Sequence, residues 1–175
     1  MKTRNLLCTV CLIAAFAALY ACSDDDNPTP PLSPKDWTIM EQASYGNIAE
    51  IEMGKVADSI SATDSVKQFG QMMIADHTIA QKDLQGIANM FSVDIPQTPD
   101  SLHAAKKQQL MMMSGYMFDT AYINGQIKDH QATIALLEMA AISEQKALKD
   151  YANKYLPKVK MHLEHAQSIA DNLKP

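Results

Sequence analysis

The sequence predicts an all-α domain, four helices running up-down-up-down as a bundle, with a long third helix and a fourth kinked by proline. Three observations carry this. Between residues 36 and 95, Gly and Pro are scarce and apolar residues recur at spacings of three and four, the period of an amphipathic helix. The connections near residues 62 and 143 are short, which forces helical neighbours to run antiparallel. A pattern also returns 53 positions later: Phe69…Ile74-Ala75-Asp76-His77…Leu84 and Tyr122…Ile127-Lys128-Asp129-His130…Leu137. Twin Asp-His pairs flanked alike read as a duplicated helical hairpin.

The elements follow in order. The first helix is expected over 36–61, rich in Ala, Glu and Ile, and Ser61-Ala62-Thr63 breaks it. Thr63 is a suitable N-cap and Asp64 favours a first turn, so the second helix spans 64–91. Ser92 to Thr98 is a loop. Thr98-Pro99-Asp100 reads as cap, first-position Pro and helpful acid, starting a third helix that continues to about residue 142 with an irregularity at Ser114-Gly115. Ser143 caps the fourth helix, 144–173. Pro157 lies inside it, removes a backbone donor and crowds the carbonyl of Asn153, so a kink or two shorter helices are expected.

The N-terminus carries an address. Lys2 and Arg4 precede an apolar run from Leu6 to Ala21, shorter than the roughly 20 apolar residues that a membrane-spanning helix needs. The run fits an export signal over 1–21, and Leu19-Tyr20-Ala21-Cys22 resembles the lipobox of bacterial lipoproteins, in which the Cys is acylated and becomes the new N-terminus. The alternative is an ordinary cleaved signal. Residues 22–35, with Ser23-Asp24-Asp25-Asp26 and then Pro28, Pro30, Pro31 and Pro34, read as an extended tether. The acidic cluster resembles the surface-export signal of Bacteroidota lipoproteins, or is simply a solvated spacer. Ser23 after Cys22 favours the outer membrane by resemblance to the enterobacterial sorting rule. The expected partner is therefore a membrane, through a lipid anchor at Cys22, with the domain facing the periplasm or the cell surface. The helical domain occupies 36–174.

Cys8 and Cys11 leave with the signal and Cys22 is spent on lipid, so the exported domain relies on its core without disulfides. Of the 15 basic residues, removing Lys2 and Arg4 leaves 13 Lys against 20 acids, a net charge of −7. Arg4 is the only Arg, so the mature chain lacks the guanidinium forks of phosphate recognition, and no nucleic-acid partner is expected. No Gly-rich phosphate loop, nucleophile elbow or CxxC is present.

The chemistry lies on the inward seams. Alternating steps of four and three give Met40, Ala43, Asn47, Glu50, Gly54 and Ala57 on the first helix and Val66, Gly70, Met73, His77, Ala80 and Leu84 on the second. The third gives Ile123, Ile127, His130, Ile134 and Leu137; the fourth gives Leu148, Ala152, Tyr155, Val159, His162 and Ala166. Each seam holds one metal-competent side chain: Glu50, His77, His130 and His162. At 1.5 Å per residue they lie roughly 18, 21, 20 and 27 Å from one end of the bundle. One carboxylate and three imidazoles in a layer suit a single transition-metal ion, Zn, Fe, Mn or Cu. Asp76 and Asp129, one position off the seam, are candidates to orient the rings, or are solvated acids.

A lone seam His is usually a satisfied core residue, and a metal-free polar layer explains the same pattern. That is the competing reading, a non-catalytic structural or interaction lipoprotein; a binding module for a small ligand is a third. The chain contains no Glu-x-x-His, so it does not match the di-iron carboxylate signature. Met111, Met112 and Met113 point in three directions on a helix and read as packing residues rather than copper ligands. His165 reads as a surface residue.

Glu50-Ile51-Glu52-Met53-Gly54-Lys55-Val56-Ala57, Val66 to His77, Phe118-Asp119-Thr120-Ala121-Tyr122, Asp129-His130 and Leu156-Pro157 followed by His162 together resemble the family called domain of unknown function 4142. The resemblance covers about 36–173. It implies a bacterial, often exported protein with a ferritin-like helical bundle, of the kind commonly described as outer membrane proteins, and it implies no reaction. The family usually has Gly-Gly before the first-helix Glu, and here the pair is Tyr45-Gly46, which bears on close helix packing at that point.

Overall fold

The computed structural model describes residues 30–174. The expected signal (1–21), the lipidation site Cys22 and most of the tether lie outside the described residues. Five helices follow in order: α1 (Pro34–Ile60), α2 (Asp64–Met90), α3 (Ser101–Met111), α4 (Gly115–Ala141) and α5 (Lys146–Asn172). The all-α expectation agrees with this, and the four-helix bundle does not. The long third helix is two helices. α3 ends at Met111 with Met112 as its cap residue, Ser114 is extended (φ −151°), and Gly115 takes φ +56°, a left-handed conformation that a Cβ would penalise. The chain therefore turns, and α3 lies against α1 instead of extending α4. Lys107 pairs with Glu52 of α1 at 2.6 Å, and Lys106 with Asp129 of α4 at 2.6 Å.

The helix starts also differ in detail. Ser33 caps α1, accepting the Asp36 N–H at 3.1 Å, with Pro34 in the first turn. Asp100, rather than Thr98, caps α3 by accepting the His103 N–H at 2.8 Å. Thr63 occupies the α2 cap position but gives its hydroxyl to Asp119 Oδ2 at 2.5 Å. Ser143 stands in the α4–α5 link, and the α5 cap residue is Gln145. The proline-bearing helix, α5, runs through Pro157 as one element of 27 residues.

The four 27-residue helices run antiparallel to their spatial neighbours, but not in the expected up-down-up-down order: α1 and α5 run one way and α2 and α4 the other, because α3 carries the chain back along the domain before α4 starts. Asn47–His77 on α1–α2, Ser61–Asp119 and Glu50–His130 on α1–α4, and Asp76–His162 and Asp83–Tyr155 on α2–α5 are contacts in which one number rises as the other falls. α1 and α2 approach most closely at Gly54 and Gly70. A Cβ on Gly54 would stand 2.7 Å from the Gly70 carbonyl oxygen, and one on Gly70 2.8 Å from that of Gly54. A Cβ on Gly46 would meet nothing within 4 Å, so the close approach of α1 and α2 is made at Gly54–Gly70 and not at the Tyr45-Gly46 pair.

The core has two apolar parts. Ile39, Met40, Leu84, Leu137, Leu148, Tyr151 and Val159 fill the part nearer the start of α1. Met53, Val66, Phe69, Met73, Phe118, Tyr122 and Ile169 fill the other. Between them each long helix contributes buried polar residues: Asn47 and Glu50, His77, Gln126 and His130, and His162. Among the described residues no helix is long and apolar enough to cross a membrane.

Candidate metal centre

His77, His130 and His162 come from α2, α4 and α5 and meet in this layer. Each is at most 4 % exposed. Their ring centroids are 5.5 to 5.8 Å apart. Each ring offers one ligand nitrogen, and the three nitrogens lie within 4.8 Å of one another. Nitrogens held at about 2.1 Å from one ion would be roughly 3.4 Å apart. The cluster is thus a slightly open cup that closes by side-chain adjustment of about an ångström.

The other nitrogen of each ring is held by an acceptor. His77 Nδ1–H donates to Asn47 Oδ1 at 3.0 Å. The Asn47 orientation follows from its own network, because Nδ2 donates to Tyr151 Oη at 3.0 Å and to Gln81 Oε1 at 3.3 Å. His130 Nδ1–H donates to the Gln126 carbonyl one turn back at 2.9 Å. His162 Nε2–H donates to Asp76 Oδ2 at 2.9 Å, while Asp76 Oδ1 pairs with Lys158 at 2.7 Å. These bonds select the tautomers. They leave His77 Nε2, His130 Nε2 and His162 Nδ1 as lone-pair acceptors, and all three are buried without a partner.

Burial also keeps the rings neutral, the form that binds metal. It pushes His77 well below its usual value and lowers His130 against the opposing Gln126 carbonyl. It brings His162 down to about 4, more than Asp76 restores. Asp76 is itself lowered: desolvation pushes it up, and the Lys158 ammonium and the His162 N–H outweigh that push.

The remaining predicted site residues lie differently. Glu50 is buried, 4 % exposed, but it stands beside the outer face of the cluster. Its Oε1 is 3.9 Å from His130 Nδ1, the nitrogen already bound to Gln126, and it does not join the convergent set. Burial pushes its carboxyl up to about 8, against the lowering effect of the Gln126 amide. Asp76 accepts from the ring of His162 on another helix and not from its neighbour His77. Asp129 orients none of the three and pairs with Lys106. His165 is exposed, its ring edge-on to Phe69 at 5.5 Å.

Two orienting groups carried no role in the sequence reading. Asn47 was visible as a polar residue on an apolar seam. The Gln126 carbonyl leaves no sequence signal, because any residue supplies one.

The family model described as Domain of unknown function (DUF4142) matches residues 22–169. The chain belongs to this family. Among solved structures, this DUF4142 chain resembles the crystal structure of a DUF305 fragment from Deinococcus radiodurans, with TM-score 0.74 and 10 % identity. The alignment covers 82 % of this chain and all of that one, a likeness of fold alone. Among curated proteins nothing matches.

Proposed function

We propose that this DUF4142 protein is an exported envelope lipoprotein, anchored to the outer membrane through Cys22, whose helical domain binds one transition-metal ion on His77, His130 and His162. Its role on this reading is metal handling or protection of the envelope against stress. The carrying observation is three buried imidazoles that bring one ligand nitrogen each within 4.8 Å of one another and that each leave one nitrogen without a partner.

That observation weighs against the metal-free polar layer. A buried layer that only fixes register should satisfy itself. Here each ring has used its N–H on an outer acceptor, so the rings cannot donate to one another. One water has two hydrogens and serves two of the three acceptors. A cation serves all three. The neutral nitrogen set suits Zn, Cu, Fe or Mn. A bound divalent ion would supply Lewis acidity; the chain's residues hold the rings, select their tautomers and keep bulk water away. The cavity at the cluster, bordered by His77, His162, Tyr151 and Val159, is about 30 Å³, room for about one water rather than a larger ligand.

Metal content decides the matter. The chain from Cys22 onward should retain or take up one equivalent of Zn, Mn, Fe or Cu, and His77→Ala with His130→Ala should abolish it. Wild-type protein that purifies metal-free and ignores all four ions overturns the proposal. A double variant that changes only melting temperature, with or without chelator, returns the polar-layer reading. For the address, mass spectrometry of membrane-extracted protein should find acyl chains on Cys22, and Cys22→Ser should release it from the membrane fraction.

A further inference from the structure

Both ends of the domain expose apolar side chains. At one end α1 and α5 begin and α2 and α4 finish, and there Trp37, Met90, Met139 and Ile142 are 37, 70, 44 and 76 % exposed. At the other end Met111, Met112, Tyr116 and Met117 are 50, 87, 42 and 70 % exposed. Apolarity alone does not distinguish them. The path of the chain does.

The N-terminal segment is docked at the first end up to Pro30. The buried Gln145 amide donates to the carbonyls of Pro30 and Pro31, the second at 3.0 Å. Beside it Asp36 accepts from Ser33 at 2.6 Å and from Ser143 at 2.6 Å, tying the start of α1 to the α4–α5 link. Met139 and Ile142 border the same groove as Pro30 and Pro31. From Cys22 to Pro30 is eight steps of chain, a reach of about 28 Å at full extension. Each long helix of 27 residues is about 40 Å. A lipid on Cys22 therefore holds the first end near the bilayer and cannot present the other end to it end-on.

We infer that the end carrying Trp37, Met90, Met139 and Ile142 rests on the lipid bilayer. The inference rests on the lipoprotein reading. Trp suits the headgroup level, where an apolar ring and a polar N–H are both served. The thioethers and Ile142 supply apolar contact, and Lys35, Glu144 and Lys146 form a mixed-charge rim. The metal layer then faces away from the lipid, with one apolar core part between them.

Trp37 is the sole Trp of the chain and reports on the proposed contact directly. The chain from Cys22 onward, coupled through Cys22 to maleimide-headgroup lipid, is placed in phosphatidylcholine vesicles with and without brominated acyl chains. Trp37 emission should shift to the blue and be quenched by the bromolipid. In Trp37→Phe with Tyr116→Trp, the reporter moves to the far end, and emission should stay water-like. Met139→Glu with Ile142→Glu should relieve the quenching of Trp37 at unchanged helix content. Unquenched Trp37, or equal quenching at positions 37 and 116, overturns the inference. Chemical coupling makes this result independent of acylation in the cell, and the mass spectrum of the extracted protein tests that separately.

Discussion

The two Asp-His repeats are alike in sequence and different in the fold. Asp76-His77 on α2 and Asp129-His130 on α4 have an aromatic residue eight positions before the His and a Leu seven after. The structure preserves those flanks: Phe69 and Tyr122 meet edge-on at 6.3 Å, and Leu84 and Leu137 share one core part. Both His rings join the cluster. The aspartates part company. Asp76 crosses to α5 and holds His162, whereas Asp129 faces α3 and holds Lys106. Duplicated sequence thus supplies two ligand positions, and the third is stabilised by an acid borrowed from the first repeat. An ion-binding layer can be built from an approximate repeat because seam position comes from helical period, while the orienting partner comes from whatever lies across the interface.

The sharpest test of this difference is a matched pair of variants. Asp76→Asn should weaken metal binding by about 10–100-fold, since orienting partners of ligand imidazoles carry effects of that size. Asp129→Asn should change it no more than about twofold, because its Lys106 pair is partly exposed and holds no ring. Competition against a chelator of known affinity measures both. Equal losses would show that the aspartates act alike after all.

Asn47→Ala comes next. It strands the Nδ1–H of His77 and the hydroxyl of Tyr151 in the core, and should cost about 1–3 kcal/mol of stability. Thermal unfolding of the metal-free protein reads this as several degrees.

Acid should separate the metal-free and metal-loaded forms. The folded pKa values of His77, His130 and His162 lie below the ordinary 6.5, His162 at about 4. The unfolded chain therefore takes up protons that the fold refuses, and stability present above pH 6.5 is lost as pH falls towards about 4. Bound metal should be released over the same interval. Denaturant midpoints that stay flat from pH 7 to 4 would contradict this.

The smallest effect concerns Glu50, which has no counterpart in the other repeat. Its folded pKa is raised from 4.5 to about 8, so its contribution is full below 4.5 and declines as pH rises through 8. Glu50→Gln should flatten the alkaline side of the stability profile and leave one equivalent of metal bound. Loss of metal in this variant would return Glu50 to the ligand set.

Much of this was legible because it is local. A period of 3.6 residues puts His77, His130 and His162 on inward faces whatever they meet there, and short links bring α1 to α2 and α4 to α5. Counting depth along the helices treats the 61–63 and 142–145 links as sharing one end, whereas they lie at opposite ends of the domain; the counts still agree roughly because His77, His130 and His162 sit near the middle of helices about 40 Å long. The rings meet within 5.8 Å. Glu50 shows the limit of the same argument. A residue on the right seam and at about the right depth turns towards Gln126 rather than the cluster, and a rotation that small exceeds what periodicity resolves. The break at Ser114-Gly115 was visible as an irregularity. That it separates α3 from α4 depends on where the freed helix packs, against Glu52 and its neighbours on α1.

The sequence by itself determined the all-helical class, the family, and the three imidazoles on inward faces, because composition, motif and helical period act over a few turns of chain. Only the tertiary structure decided which nitrogen of each ring is held and by what, that Asp76 serves a distant His, that Glu50 stands aside, and that the third helix is two. Those outcomes depend on register and rotation between helices, which are settled by packing across interfaces such as the Gly54–Gly70 crossing and carry no periodic signal along the chain.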